Sequence, residues 1–217
     1  QDRKEEGQRE DGPAAPAGFP TETAAAIRSF VNATIQQWHV AGAAVGIVKD
    51  GKIAFIEGFG SRDVAQKLPV TPKTRFILGS TTKAFTTAAI GLLVAEKKLD
   101  WDKPVASYLP EFRLQDEYAS AHATVRDLAS HRTGLPRHDF VWVNSPMSLP
   151  EMVASLRFLE PTRELRAAYQ YNNLMYITLG LLVERASGVP WDAFLRERVF
   201  KPLGMADSGC TIPEFQA

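Results

Sequence analysis

The sequence has little cysteine, no long apolar run and no excess of charge of one sign. Cys210 is the one cysteine in 217 residues, so no disulfide can form within the chain. Cysteine usage therefore does not indicate whether the protein works in an oxidising or a reducing compartment. Unbroken apolar runs such as residues 177–183 are far shorter than the ~20 residues that span a bilayer. Basic and acidic residues both number 25, so no net field attracts nucleic acid or an acidic membrane. We therefore expect no nucleic-acid partner and no transmembrane segment.

What the sequence does contain is enough apolar material for a core. Hydrophobic residues make up 45% of the chain and aromatic residues 10%, which is typical of a folded protein. Residues 1–20 differ, because charge, glycine and proline dominate there, and we expect a flexible leader followed by a folded part at 21–217. The chain starts at Gln1 without an apolar signal segment, which would suit a mature periplasmic or secreted protein.

The signals for secondary structure run in the order helix, β-hairpin, helical block. Apolar residues recur at helical spacing from Thr21, where threonines are available as caps. Two β-rich runs within 43–59 flank Asp50-Gly51, a pair typical of a type I′ hairpin turn. Residues 81–200 have almost entirely helical patterns. This order predicts an α/β (α+β) fold, with a helical lobe beside an antiparallel sheet lobe.

The first candidate for chemistry is Ser80, which Lys83 follows one helical turn later. Positions i and i+3 share a helix face, and burial can lower a lysine pKa by as much as ~3–5 units, so a neutral amine could take the serine proton. Small and apolar neighbours of Lys83 favour this, as does Gly79 after a strand-like run at 76–78, an arrangement that suggests a strand-to-helix elbow. The alternative is a helix cap at Ser80 with Lys83 extended to solvent.

The second candidate is the tripeptide formed by Tyr171, Asn172 and Asn173, which opens another buried helix. A tyrosine near a lysine can act as a phenolate base or a proton relay, and an asparagine can hold the lysine and a substrate carbonyl together. The alternative is an ordinary helix start with Asn172 or Asn173 as its cap. The two signals together, in this order, are stronger than either alone.

Four stretches of the chain resemble the serine β-lactamase and penicillin-binding-protein superfamily, in its class C-like branch of β-lactamase-related hydrolases. They are, in family order, FILGSTTKAFT, TVRDLASHRTGLPRHD, YQYNNLMYITLGLLVERASG and VFKPLGMADS. Ser-x-x-Lys is a signature of this superfamily. The resemblance covers roughly residues 21–212 and implies a β-lactamase/transpeptidase-like fold.

The resemblance also implies a role for each matching residue. Ser80 would be the acylated nucleophile, with its own backbone N–H as one half of the oxyanion hole. Lys83 would be its proton acceptor or electrostatic partner. Tyr171 would be the general base that later returns the proton to the leaving group, and Asn173 would orient the substrate and Lys83. The implied function is a serine hydrolase that forms an acyl-enzyme with an amide, ester or β-lactam bond of a small molecule or peptide, without a cofactor.

The sequence departs from the family pattern at the third motif. No Lys-Thr-Gly or His-x-Gly follows Tyr171, and residues 132–134, which read Arg-Thr-Gly, precede it and fit a turn. We therefore expect a C-terminally truncated domain with an incomplete sheet. Loss of one oxyanion donor typically costs about 10²–10³ in rate, so this chain alone should be weakly active or inactive.

Two other functions remain open from the sequence. The first is a catalytically silent homologue that binds a peptide or partner protein. The retained serine, lysine, tyrosine and asparagine argue against it, because a binding protein does not need all four. A Ser-Lys protease of unrelated fold would not need Tyr171.

The remaining polar candidates give weaker signals. His122, His131 and His138 lack the cysteine or carboxylate spacing of a zinc site, so we expect no metal, and His131 is expected to bond backbone near its turn. Asp139 could orient a group at the edge of the cleft or be a solvated loop carboxylate. Trp142 could line a pocket for an apolar acyl group or fold onto its own helices.

Overall fold

The structure is a computed structural model that describes residues 19–216. It divides into two compact units between Phe76 and Ile77. The leader predicted at 1–20 lies outside the described residues, apart from Phe19 and Pro20. No helix within the described part of the chain is both long and apolar enough to cross a membrane.

The first unit is a helix with a small antiparallel sheet. Its elements are α1 (Thr21–Gln37), β1 (Gly42–Lys49), β2 (Lys52–Asp63) and β3 (Leu68–Pro69), and the sheet order is β1-β2-β3. Asp50 and Gly51 have φ values of 51° and 72°, so the predicted type I′ turn between β1 and β2 is confirmed. The strand β3 was not predicted, because two residues are too short to show a period of two.

The second unit consists of helices and the loops between them. Its α-helices are α2 (Lys83–Ala95), α3 (Glu117–His122), α4 (Val125–Ala129), α5 (Leu149–Ser155), α6 (Asn173–Ser187), α7 (Trp191–Leu195) and α8 (Ile212–Gln216). Short 3₁₀ helices lie at Gly79–Thr82, Val105–Ser107, Asp139–Val141 and Leu156–Phe158, and a π-helical turn at Arg196–Phe200 follows α7. Long loops separate several of these helices, so the nearly all-helical pattern predicted for 81–200 was too broad.

The core of the second unit is built around α2 and α6, which pack against each other. Ile90 and Leu93 of α2, and Met175, Leu179 and Leu182 of α6, have no exposed surface. Full burial of each such side chain contributes about 1.5–3 kcal/mol. Packing along the length of both helices fixes the positions of their N-terminal ends.

Several predicted helix ends are confirmed. Thr124 and Asp127 form a capping box at α4, and Ser148 and Glu151 form one at α5. Gly188 ends α6 in the left-handed region, at φ 79°.

Two local predictions were wrong. Residues 76–78 form no strand and are exposed. Gly79 has φ 54°, and a Cβ there would meet no atom within 4 Å, so glycine is required by the backbone angle rather than by close approach. At α1 the N-cap is Pro20 without a side-chain bond, so the predicted threonine cap is absent.

Gly134 is the point of closest backbone approach in the loop after α4. Its φ is 81°, its carbonyl accepts the N–H of Thr162 at 3.0 Å, and a Cβ there would lie 2.0 Å from the carbonyl oxygen of Arg163. The loop that leads to Asp139 is therefore fixed against the segment around Arg163.

We predict that Gly134→Ala lowers the free energy of unfolding by ~3–5 kcal/mol, since strain at positive φ adds to a steric clash with backbone. Gly188→Ala is the matched control, because its φ is 79° but a Cβ there meets nothing within 4 Å. The control should cost only ~1–2 kcal/mol. Urea denaturation followed by circular dichroism measures both variants, and equal losses would contradict the prediction.

Candidate active site

The four residues predicted from the two motifs lie at the adjoining ends of α2 and α6. Ser80 lies in the 3₁₀ helix Gly79–Thr82, and Lys83 is the first residue of α2. A 3₁₀ helix has three residues per turn, so side chains at i and i+3 align, which places Ser80 directly beside Lys83. Tyr171 and Asn173 flank the N-cap of α6.

The ammonium nitrogen of Lys83 is at the centre of this group. It donates to Ser80 Oγ at 3.2 Å, to the Tyr171 hydroxyl oxygen at 2.7 Å and to Asn173 Oδ1 at 2.7 Å. An ammonium has three N–H donors and no acceptor, so these three oxygens use all of its donors. Ser80 Oγ and the Tyr171 oxygen are 2.5 Å apart, close enough for a proton to pass between them.

The surroundings of Lys83 differ from the apolar setting that the sequence suggested. Lys83 is half-buried, and its nitrogen lies 4.7 Å from the ring centroid of Tyr171 and 5.2 Å from that of Tyr176. Aromatic faces attract a cation, so these rings, together with the three oxygens, stabilise the Lys83 ammonium in this position.

The phenol of Tyr171 is more acidic than an ordinary tyrosine. Burial raises its pKa, but the hydrogen bonds to Lys83 and Ser80 and the positive charges of Lys83 and Arg137 lower it by more, so the pKa lies below its usual value. The guanidinium carbon of Arg137 lies 5.1 Å from the centroid of the Tyr171 ring. A depressed pKa makes phenolate available at lower pH, which is what a general base requires.

The two adjacent asparagines have different tasks. Asn172 is fully buried, accepts the N–H of Met175 at 3.2 Å as the N-cap of α6, and donates to the carbonyls of Leu135 and Pro136. Asn173 is thereby left to face Lys83. The sequence allowed either asparagine as the cap, and the structure assigns that place to Asn172.

The ring of His131 packs against the ring of Tyr171. Its Nδ1 accepts the backbone N–H of Asn172 at 3.1 Å, and its ring centroid lies 4.7 Å from that of Tyr171 and 5.2 Å from that of Tyr176. Burial and the charge of Lys83 lower the pKa of His131. His131 bonds to backbone as predicted, but the predicted place near its own turn was wrong, because the partner is the N–H of Asn172 at the start of α6.

The other two histidines, His122 and His138, lie against backbone carbonyls. His122 Nδ1 contacts the carbonyl of Tyr118 at 2.8 Å, and His138 Nε2 contacts that of Glu160 at 3.3 Å. Across residues 19–216, no group of three or more His, Cys, Asp or Glu side chains is arranged to hold a metal ion.

Asp139 is bound to the site rather than free in solvent. Its carboxylate accepts from Asn173 Nδ2 at 3.1 Å, from Trp142 Nε1 at 3.0 Å and from Arg137 Nε at 2.8 Å. The bond from Trp142 lowers the pKa of Asp139 most, and those from Asn173 and Arg137 add to the effect against partial burial. Of the two sequence alternatives, the solvated loop carboxylate is wrong. Sequence reasoning gave Arg137 no role, although it lies within the second of the four stretches that resemble the family.

The helical unit carries Ser80 and Lys83 at the start of one buried helix and Tyr171 and Asn173 at the start of another. Together with the three-stranded antiparallel sheet of the first unit, these helices make up a β-lactamase/transpeptidase-like fold. A family model of β-lactamases matches residues 27–217. The chain belongs to this family, within the superfamily of serine β-lactamases and penicillin-binding proteins.

Similar proteins include hydrolases. The chain is 36% identical over 196 residues to the unguisins hydrolase of Aspergillus campestris, covering 86% of this chain and 36% of that protein. The octameric penicillin-binding protein homologue from Pyrococcus abyssi is 29% identical, with a TM-score of 0.78 over 88% of this chain and 45% of that one. The D-amino acid amidase from Ochrobactrum anthropi is 26% identical, with a TM-score of 0.74 over 86% and 53%. The chain thus spans less than two thirds of each of these proteins.

We predict that Tyr171 titrates below the ordinary tyrosine pKa and that Lys83→Met raises its pKa, because burial then acts without the opposing ammonium. Tyr108 is an internal control, since burial raises its pKa and it is not bonded to Lys83. NMR titration of ¹³Cζ-labelled tyrosine, assigned with Tyr171→Phe, measures both groups. Tyr171 titrating with or above Tyr108, or unmoved by Lys83→Met, would contradict the prediction.

Proposed function

We propose that the protein is a serine hydrolase that cleaves an amide, ester or β-lactam bond through an acyl-enzyme on Ser80. The observation that carries the proposal is the triangle of Ser80 Oγ, the Tyr171 oxygen and Lys83 Nζ, with sides of 2.5, 2.7 and 3.2 Å. A nucleophile, a base of depressed pKa and a fixed positive charge are the parts that nucleophilic catalysis needs.

Acylation uses these groups in sequence. The Tyr171 phenolate accepts the proton of Ser80 while Ser80 Oγ bonds to the substrate carbonyl carbon and the carbonyl oxygen takes up the negative charge. As the tetrahedral intermediate collapses, the bond to the leaving nitrogen or oxygen breaks, and Tyr171 returns the proton to that atom. Water, deprotonated by Tyr171, then attacks the acyl carbon, the bond from that carbon to Ser80 Oγ breaks, and Tyr171 returns the proton to Ser80 Oγ. The Lys83 ammonium stabilises Tyr171 in the steps where it is a phenolate.

The resemblance between this chain and named hydrolases supports an amide as the substrate bond. Relatives include a protein named as an unguisins hydrolase and a D-amino acid amidase, and the second is named for action on an amide. We extend the proposal to the class C-like branch, because its base is the tyrosine of a Tyr-x-Asn motif, and to a periplasmic or secreted location. An esterase activity would use the same groups, since an alkoxide leaves more readily than an amine.

The silent-homologue alternative receives less support from the geometry. A binding protein has no need to keep a serine and a tyrosine 2.5 Å apart with a lysine donating to both. The weak activity predicted for the chain by itself stays a prediction, as do the domain limits of 21–217. The third motif, Lys-Thr-Gly or His-x-Gly, does not follow Tyr171 in this sequence.

We predict that a fluorophosphonate probe adds its mass to Ser80 and that Ser80→Ala abolishes the adduct. Tyr171→Phe should slow labelling by about 10²–10⁴-fold, as expected for loss of a general base, and the parent rate should rise with pH through the Tyr171 pKa because phenolate is the active form. Lys83→Ala should also slow labelling strongly. Peptide mass spectrometry and labelling rates measure these effects in the longest natural form of the protein and in residues 1–217 alone.

The control is Thr81→Ala, which removes a neighbouring hydroxyl that donates to the Leu78 carbonyl at 2.8 Å. It should label at the parent rate. Absence of any adduct in the longest natural form would refute the hydrolase proposal, whereas labelling that survives Tyr171→Phe unchanged would favour a Ser-Lys mechanism.

A further inference from the structure

Two charged side chains, Asp139 and Arg137, are linked to the proposed acylation site through Asn173. Asn173 forms this link because its Oδ1 accepts from Lys83 at 2.7 Å while its Nδ2 donates to Asp139 at 3.1 Å. Asp139 therefore does not touch the reacting atoms, and any influence on them passes through Asn173.

The two ends of the Asn173 amide require opposite chemistry. A primary amide has an acceptor oxygen and a donor nitrogen of nearly the same shape, so rotation by 180° exchanges them. In the flipped orientation, the NH₂ group would face the Lys83 ammonium, donor against donor, and the oxygen would face the Asp139 carboxylate, acceptor against acceptor. A carboxylate at position 139 thus selects the orientation that gives Lys83 an acceptor.

The Asp139 carboxylate is itself held firmly. Trp142 donates to the same oxygen as Asn173, at 3.0 Å, and Arg137 pairs with the other oxygen at 2.8 Å. The carboxylate projects from the first residue of the 3₁₀ helix Asp139–Val141, which follows His138 at a left-handed φ of 45°. With both oxygens engaged, the carboxylate has little freedom to turn away from Asn173.

We propose, resting on the hydrolase function above, that Asp139 is a positioning residue: it fixes the amide of Asn173 and thereby holds Lys83 Nζ between the oxygens of Ser80 and Tyr171. Trp142 acts on the site through Asp139, and Arg137 does so in addition to its direct effect on Tyr171. The prediction differs in sign from a plain charge effect. Removing a negative charge favours the phenolate and lowers the pKa of Tyr171, whereas releasing Lys83 removes a hydrogen bond to the phenolate and raises it.

Two substitutions separate these effects. Asp139→Ala removes both the charge and the acceptor, so Lys83 is released and the Tyr171 pKa should rise. Asp139→Asn removes the charge and the ion pair with Arg137 but keeps an oxygen that can accept from Asn173, so the pKa should stay or fall. Asp139→Ser, whose hydroxyl is one bond shorter than the carboxylate, replaces the alanine variant if that variant does not fold.

The test measures the Tyr171 pKa by ¹³Cζ-tyrosine NMR and the rate of Ser80 labelling by a fluorophosphonate at pH 7, in the longest natural form of the protein. Asp139→Ala should slow labelling at least ten-fold and raise the pKa, while Asp139→Asn stays within about three-fold of the parent. The matched control is Asp116→Ala, which removes a carboxylate that caps α3 through the N–H of Ala119. It should change neither readout.

The outcomes separate this inference from the function on which it rests. A parent protein that never labels at Ser80 refutes the hydrolase function, and the NMR titration still decides the role of Asp139. A parent that labels while Asp139→Ala leaves both rate and pKa unchanged, or lowers the pKa, overturns the positioning role alone. Equal losses in the alanine and asparagine variants would also overturn it, because the acceptor would then not matter.

Discussion

The proposed catalysis depends on the placement of one nitrogen, Lys83 Nζ, among three oxygens. Its donors reach Ser80, Tyr171 and Asn173 at 3.2, 2.7 and 2.7 Å. Ser80 lies in the 3₁₀ turn before α2, whereas Tyr171 and Asn173 lie at the start of α6. The same charge lowers the pKa of the phenol beside it. If the nitrogen were displaced by even the length of one bond, the nucleophile and the base would lose their common neighbour, and the phenol would lose its main source of acidity.

That placement results from hydrophobic packing along α2 and α6, away from the N-terminal ends that carry the site. The helices α2 and α6 are apolar along most of their surface, and their packed residues fix how the two N-terminal ends meet. Local backbone structure and hydrogen bonds then position the side chains at each end. The 3₁₀ turn aligns Ser80 with Lys83, and the Asn172 cap and the bond from His131 hold the start of α6. The site is thus rigid because its polar groups stand at the ends of elements that the core has already fixed.

The sequence predicted the parts of the site that have a local signal. Ser80 and Lys83 share a helix face, Tyr171 and Asn173 form a short motif, and the hairpin turn at Asp50-Gly51 needs positive φ at both residues. Asp139 was left open because its partner Asn173 lies 34 positions away, and spacing of that length carries no periodic signal. Residues 76–78 were misread as a strand, since apolar β-formers show the same pattern when exposed in a loop. The choice between Asn172 and Asn173 as cap also needed the fold.

The most direct test of the central claim is a crystal structure of the protein with a boronic acid that mimics the tetrahedral intermediate. We predict a bond between boron and Ser80 Oγ, with the Tyr171 oxygen at a hydrogen-bond distance of about 2.6–3.2 Å from a boronate oxygen and Lys83 still donating to both side chains. Boron bound elsewhere, or bound at Ser80 with the phenol turned away from the reacting centre, would contradict the account.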